Sequence, residues 1–268
     1  MTAPVSLDIV DLAIAASLLV IDGGLSLWLR LRLEARLALS GARMVVQLLL
    51  IGLVLEWLFL VATPAWTGLA ALVMVLFAGR EAMARQERRL TGWWGYGLGT
   101  TAMMTSSILV TVFALTTQVQ PDPWFDPRYA IPMLGMILGN TMTAVSLGLH
   151  ALSTGAWRER RAIEAQLALG ATRWVAMRPV SRAAMTAGLM PIVNSMAATG
   201  IVSLPGMMTG QILSGVAPME AVKYQLLVMF LIAGGTGFGS VVAVMGGAAR
   251  LTDARHRLRL DRLGPLQT

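Results

Sequence analysis

The residues of this chain best suited to chemistry lie in the segment SLPGMMTGQ, residues 203–211. Pro205 removes a backbone donor and the following glycine relaxes the helix, so an apolar helix is expected to break here and expose carbonyl groups. Met207 and Met208 add soft thioethers and Gln211 adds an amide, a donor set that could contact a partly dehydrated metal ion or a metal complex. Methionine also fills irregular cores, and with 18 methionines in the chain that interpretation stays open.

Four further polar side chains, Gln47, Asn140, Asn194 and Gln225, fall inside apolar runs. Each is expected to turn away from lipid, because burial without a partner is costly. They could line a pathway or form interhelical hydrogen bonds worth about 1 kcal/mol or less each. The candidate substrate pathway therefore comprises Gln47, Asn140, Asn194, Ser203, Pro205, Met207, Met208, Gln211 and Gln225.

Other catalytic patterns are missing from the sequence. Lys223 is the one lysine and is flanked by Val222 and Tyr224, so a phosphate-binding GxxxxGK[ST] loop is not possible. His150 and His256 are far apart and form no HExxH pattern, and no serine lies in a GxSxG turn. We therefore predict no catalytic residue and no cofactor held by this chain, and we disfavour an intramembrane enzyme. Whether a metal binds directly stays open.

Two pairs of aspartates leave alternatives. Asp11 and Asp22 are about three helical turns apart and share a face, so Asp22 could pair with an arginine or form part of a cation route. The second use would suit a carrier or channel that needs no ATPase. Asp122 and Asp126, in PDPWFDP, could bind a cation or shape a turn.

Composition defines the class of protein. Hydrophobic residues make up 56% of the 268 residues and charged residues 13%, with a mean hydropathy of +0.68. These values indicate an all-α integral membrane protein with a single membrane domain, residues 1–268. In a soluble protein the net charge of +7 would suggest nucleic acid, but here membrane topology accounts for the basic residues.

About 20 apolar residues are needed for a helix to cross the hydrocarbon core. Seven such runs are predicted, at residues 7–29, 44–61, 66–84, 94–116, 129–152, 183–204 and 221–245. Glycine pairs four residues apart favour close helix packing at Gly95/Gly99, Gly135/Gly139 and Gly235/Gly239.

Arginines fix the predicted orientation, because basic loops stay on the cytoplasmic side. Nineteen of the 21 Lys and Arg residues fall into four clusters separated by long apolar stretches, and the alternate loops between these clusters carry few or no basic residues. The clusters lie within residues 30–43, 80–89, 158–182 and 250–262. We expect the amino terminus outside and a basic tail, residues 248–268, in the cytoplasm.

The loop after the fifth run is long enough to fold. Residues 157–169 read as a helix with Ile163 and Leu167 on the face opposite its arginines. Gly170 would stop that helix, and Thr172 could cap a second one that begins at Arg173. This helix, elbow and helix, within residues 157–180, could dock into a soluble partner or lie on anionic lipid.

Several segments of the sequence resemble those of a known protein family. IEAQLALGAT, residues 163–172, looks like the cytoplasmic coupling motif of ABC-transporter permeases. The segments at 202–215, 221–232, 131–149 and 41–52 resemble the FetB/YbbM family of metal-linked ABC permeases, and the resemblance covers most of residues 41–247.

The resemblance implies a permease of about seven spans that works as a homodimer with a separate FetA-like ATPase, which would bind ATP and Mg²⁺. It implies the bacterial inner membrane as location and export of iron or another metal or metal-containing compound, although plant relatives are tied to aluminium tolerance. It also implies that contact with the ATPase is made by Glu164, Ala165, Leu169, Gly170, Ala171 and Thr172.

Overall fold

The computed structural model describes residues 8–86 and 88–265, and the regular structure within them is helical. Three isolated β-bridges occur, and no β-strand is present in these two ranges. The helices are α1 (Ile9–Trp28), α2 (Glu34–Val61), α3 (Pro64–Ala84), α4 (Trp93–Ala114), α5 (Pro127–Arg158), α6 (Arg160–Ala168), α7 (Arg173–Ala198), α8 (Gly206–Leu213) and α9 (Pro218–Arg250). A π-helical turn, Leu115–Val119, continues α4, and a short 3₁₀ helix, Leu260–Arg262, lies in the tail.

Six helices are long and apolar enough to cross a membrane: α1, α2, α3, α4 with its π-helical turn, α5 and α9. The predicted sixth run, 183–204, corresponds to α7, which does not meet this measure. α7 begins at Arg173 and carries Arg178 and Arg182, so its apolar part starts only after Arg182. It ends with the helix at Ala198 and is shorter than about 20 residues.

The break predicted in SLPGMMTGQ is present. α7 ends before this segment, and Gly200 has a φ of +93°, a left-handed conformation that suits glycine. The chain resumes as α8 at Gly206 and turns again at Gly215, with φ +94°, before α9 begins. Two breaks therefore separate α7 from α9.

The chain divides into two compact units, the first of which contains the described residues up to Ala62 and the segment Leu213–Gly215. Within it, α1 and α2 form a hairpin whose turn is fixed by the buried Ser26. The Ser26 hydroxyl donates to Glu34 Oε2 (3.0 Å) and accepts from the Leu33 backbone N–H (3.0 Å). A Cβ on Gly41 would lie 2.7 Å from Leu19 Cδ2, so the two helices approach closely.

The second unit contains residues 63–212 and 216 onward, and α5 lies at its centre. α5 contacts α3, α4, α7 and α9. Its buried residues include both large apolar side chains and small residues along most of its length. One core cluster extends from the middle of this bundle to α6, α7 and the tail, and it includes Val145, Leu152, Met177 and Leu251. The middle of the bundle, α6 and the tail therefore share this cluster.

Close helix approach depends on glycines of α5, α7 and α9. A Cβ on Gly188 would lie 2.7 Å from the Ala144 carbonyl oxygen, and a Cβ on Gly235 would lie 2.7 Å from Ile137 Cγ2. A Cβ on Gly239 would overlap Thr141 Cγ2. The packing role predicted for the pair Gly235/Gly239 is confirmed.

The other two glycine pairs behave differently. Gly95 abuts the Leu90 carbonyl of the preceding loop, at 2.5 Å from an added Cβ, and Gly99 has ordinary contact distances. Gly135 is close to Met74, at 3.3 Å, while Gly139 faces open space. The four-residue spacing of glycines therefore did not identify which of them lie where two helices pack closely.

We expect Gly239→Ala to destabilise the protein by about 1–3 kcal/mol, because the added methyl overlaps the fully buried Thr141. Gly234→Ala is the matched control, since it lies on the same helix with nothing within 4 Å of its added Cβ. The helix propensity of alanine should leave that variant unchanged or up to about 1 kcal/mol more stable. Thermal unfolding of the two purified variants measures the difference, and equal midpoints would contradict the packing assignment.

Candidate coupling elbow and polar segment

The elbow predicted between two short helices is present, and glycine closes it. α6 ends at Ala168, and Gly170 follows with a φ of +89°. The Gly170 N–H donates to the Leu167 carbonyl (3.1 Å) and the Ala171 N–H donates to the Gln166 carbonyl (3.0 Å). These two bonds form a Schellman motif, which satisfies the last carbonyls of the helix and reverses the chain.

The start of α7 is capped from two directions. Thr172, in extended conformation, accepts a long bond from the Val175 N–H (3.5 Å), as the sequence predicted. The Arg173 N–H, which has no partner within its own helix, donates to His256 Nδ1 (3.1 Å). His256 therefore supplies a cap that local sequence did not indicate.

The two faces of α6 differ as predicted. Ile163 is 2% exposed and Leu167 packs against the same core cluster. Glu164 and Ala165 are exposed, and Leu169 at the tip of the elbow is 87% exposed. The turn therefore presents an apolar side chain to its surroundings.

Two arginines fix the beginning of the elbow by stacking on Trp157. The Arg88 guanidinium carbon lies 4.1 Å from the ring centroid and that of Arg160 lies 5.1 Å away. Arg88 belongs to the loop between α3 and α4, so this cation–π contact ties the elbow to another part of the second unit. Arginines from which the membrane topology was predicted therefore also stabilise the fold.

The basic tail is folded where the structure describes it, and this was not predicted. Asp253 Oδ1 accepts from the backbone N–H groups of Arg255 (3.0 Å) and Arg257 (2.9 Å), and its Oδ2 accepts from Arg257 Nε (2.9 Å). These bonds close a hairpin in which Thr252 and Leu258 pair. The hairpin and α6 together line an open depression of about 320 Å³, with Glu164 and His256 among its residues.

The candidate pathway residues of the segment 203–211 differ in burial. Met207 packs against a core cluster that includes Ile192 of α7 and Val228 of α9, while Met208 is half-buried. Pro205 and Gln211 are also half-buried. Ser203 is exposed, and its carbonyl accepts from the Gly200 N–H (2.9 Å), which holds the turn after α7.

The four polar residues of the long helices are not brought together as a group. Gln225 is 6% exposed, and its Oε1 is buried with no hydrogen-bond donor among the described residues. Asn140 is exposed and donates to the Met136 carbonyl of its own helix (2.8 Å), and Asn194 is exposed on α7. Gln47 is exposed in the first unit. Gln225 is thus the one of these four whose burial still requires a partner.

The aspartates noted in the sequence have separate outcomes. Asp126 caps α5 by accepting from the Arg128 N–H (2.9 Å), so here the turn-forming interpretation applies. Asp11 accepts from the Asp8 N–H (2.9 Å), and Asp22 is exposed with no ion pair in the described part of the chain. Within residues 8–86 and 88–265 no group of three His, Cys, Asp or Glu side chains is placed to hold a metal ion.

Six apolar spans and a helical elbow define a multi-pass helical membrane protein. Residues 9–252 match the family described as "Uncharacterised protein family (UPF0014)", and the chain belongs to that family. The predicted resemblance is confirmed, because the chain is 31% identical to the probable iron export permease protein FetB of Escherichia coli over 94% of its length and 95% of that protein.

Two other relatives extend the comparison. The chain is 38% identical to the UPF0014 membrane protein slr1647 of Synechocystis, over 86% of the chain and 88% of that protein. It is 35% identical to the protein ALUMINUM SENSITIVE 3 of Arabidopsis thaliana, over 80% and 76% respectively. No solved structure gives a significant match.

The tail hairpin should loosen in acid. The hydrogen bond from the Arg257 backbone lowers the pKa of Asp253, with help from the Arg257 side chain, and the bond from Arg259 lowers the pKa of Asp261 to about 2. A depressed carboxylate pKa contributes stability that is complete above its ordinary value near 4 and is lost as pH falls through the lowered value. Hydrogen exchange of the hairpin amides, corrected for intrinsic rate, should show protection that falls below about pH 4.

In Asp253→Asn the same amides should be less protected at neutral pH, because the charged acceptor is gone, and the difference from the original protein should shrink below about pH 4, where protonation removes that acceptor as well. Glu220→Gln is the control, since that carboxylate pairs with Lys223 at the far end of α9. Unchanged protection in Asp253→Asn would show that the carboxylate does not hold the hairpin.

Proposed function

We propose that this chain is the permease subunit of an ABC transporter, working as a homodimer with two copies of a separate ATPase that binds ATP and Mg²⁺. The observation that carries the proposal is the exposed elbow, in which Leu169 projects beyond a glycine-closed turn. Each chain supplies one elbow, so a dimer offers one to each ATPase. Transport rather than catalysis by this chain agrees with the relative named as a permease.

The proposed topology has the elbow and tail in the cytoplasm and the protein in the bacterial inner membrane. The proposal puts the four arginine clusters of the sequence on the cytoplasmic side, where loops rich in Lys and Arg are retained, and α7 acts as the seventh crossing. α7 has 26 residues, a length of about 39 Å, so it can cross if Arg178 and Arg182 remain at the cytoplasmic surface. The amino terminus is then outside.

The proposed substrate is iron, another metal ion or a metal-containing compound, moved outward by alternating access. Support comes from the relative named as an iron export permease and from the thioethers of Met207 and Met208 at the broken helix. Gln225, with its buried unpaired oxygen, and the half-buried Gln211 supply polar lining. Asn140 and Asn194 are further candidates in the second unit, with Ser203 and Pro205 shaping the outer turn, while Gln47, in the first unit, stays a prediction from sequence.

In the proposed mechanism Glu164, Ala165, Leu169, Gly170, Ala171 and Thr172 contact the ATPase. Closure of the ATPase dimer on ATP pushes the elbow, and the push passes into α7, whose first turn is rigidly joined to it. The far end of α7 meets the broken segment, so its displacement changes access to the pathway. Hydrolysis of ATP by the partner resets the cycle.

Glu164→Lys and Gly170→Pro should uncouple ATP hydrolysis from transport while leaving membrane insertion intact. The first inverts an exposed charge at the proposed contact, and the second imposes φ near −65° where the turn has +89°. Transport per ATP hydrolysed by the reconstituted complex should fall at least about tenfold, the factor that a loss of about 1.4 kcal/mol produces. Glu159→Lys, an exposed charge reversal before α6, is the control.

Normal transport by both variants would refute the coupling assignment. Failure of the wild-type chain to retain any ABC ATPase on purification would refute the proposed function itself.

Replacement of both Met207 and Met208 by leucine separates metal contact from core packing. Leucine conserves volume at a cost usually below about 1.5 kcal/mol but lacks the sulfur ligand. We expect stimulation of the ATPase by soft metal ions and metal complexes to fall at least about fivefold, with basal hydrolysis retained. Met229→Leu, which packs against the same core cluster as Met207, is the control. Equal stimulation of all three proteins would mean that the pair only fills space.

A further inference from the structure

The tail hairpin, which we define as residues 251–264, connects parts of the second unit that are far apart in sequence. Its Leu251 is fully buried and its Leu263 is 9% exposed, both in the cluster that contains Ile163 of α6. The family match ends at residue 252, so nearly all of this hairpin lies beyond it. The family match therefore gives no role for the hairpin, and its role has to be inferred from the structure of this chain.

One attachment is to the loop between α3 and α4. The Thr91 N–H donates to the Arg262 carbonyl (2.8 Å), and the Gly264 N–H donates to the Arg89 carbonyl (2.8 Å). The two bonds enclose the antiparallel bridge between Leu90 and Leu263. A paired backbone of this kind resists sliding better than side-chain contacts alone.

A second attachment is to the end of α9. The Arg262 guanidinium donates to the Arg250 carbonyl (2.7 Å), one of the carbonyls that a helix end leaves without an internal partner, and to the Thr252 carbonyl (3.4 Å). The Arg259 N–H donates to the Leu251 carbonyl (2.8 Å). The hairpin therefore continues α9 as an ordered element rather than a loose tail.

The third attachment is to the elbow, and His256 makes it. Its backbone has a φ of +54°, which turns the hairpin tip and directs the ring toward α7. Nδ1 accepts from the Arg173 N–H, so the imidazole caps the helix through which the elbow would act. The elbow, α4 and α9 are thus joined through one hairpin.

We propose that the tail hairpin is a strut that holds the elbow against the ends of α4 and α9, with His256 as its positioning residue. Movement imposed on the elbow then shifts α7, α4 and α9 together instead of bending the loop. The role in transport rests on the proposed function, whereas the attachment of His256 to the elbow does not. The two parts are tested separately.

The test compares His256→Gly with His256→Asn in the full-length protein. Glycine accepts the left-handed backbone without strain but has no acceptor, whereas asparagine tolerates φ near +54° and carries Oδ1 at the position of Nδ1. Arg255→Gly, in the same turn, controls for added flexibility, because Arg255 donates to Asp253 through its backbone N–H, which glycine keeps.

Hydrogen exchange of the peptide that contains Arg173 is the first measurement. His256→Gly should accelerate exchange about fivefold, as expected for a lost hydrogen bond, and His256→Asn and Arg255→Gly should stay within about twofold of the original protein. Unchanged exchange in His256→Gly would overturn the strut whether or not the chain is a transporter subunit.

Transport per ATP hydrolysed by the reconstituted complex is the second measurement. His256→Gly should lower this ratio at least about threefold at unchanged ATPase binding, with His256→Asn restoring it. A normal ratio despite faster exchange would overturn the mechanical role. If the original protein captures no ATPase, the proposed function fails, and the exchange result alone still decides whether His256 anchors the elbow.

Discussion

Close approach of three helix backbones in the second unit is the constraint on which the remaining structure depends. Lipid chains are as apolar as leucine side chains, so helices in a bilayer gain little by burying apolar surface against one another. They gain instead from dense contact, which requires small residues where helices cross. Gly188 and Gly239 provide it, against Ala144 and Thr141 of α5. The ends of α5, α7 and α9 are thereby fixed, and the elbow and the hairpin are built on those ends.

The elbow shows how a short segment outside the bundle becomes rigid. Its last helical carbonyls are satisfied by the Gly170 and Ala171 N–H groups, and the first N–H of α7 is satisfied by His256. Ile163 anchors one face of α6 in the core, and Trp157 is held between two guanidinium groups. Few backbone groups remain free to accommodate a push, so force on the exposed Leu169 would displace the segment as a body.

The parts of this structure that sequence predicted were those with local signals. Gly170 and Thr172 were assigned correctly because a glycine after a helix and a threonine before one act within a few residues. The break after α7 followed from Pro205 and its glycine neighbour. The ends of α5 and α9 reach beyond the predicted apolar runs, because polar side chains leave a helix intact once it emerges from lipid.

The remainder required tertiary structure. The bond between Arg173 and His256 joins residues 83 positions apart, and nothing near His256 announces it. Burial of Gln225 and exposure of Asn140 depend on which side of a helix faces its neighbours, which composition does not specify. Gly188 was overlooked because it belongs to no spaced pair, although its separation from Ala144 is set by the same steric rule as that of Gly239.

The α1–α2 hairpin closes with contacts of its own, through Ser26, Glu34 and the approach of Leu19 to Gly41. Each of these two helices satisfies its own backbone hydrogen bonds, so a bilayer can accept the pair once both have left the ribosome. Biogenesis can then begin with a finished hairpin delivered to the bilayer, before the helices that surround α5 have been translated.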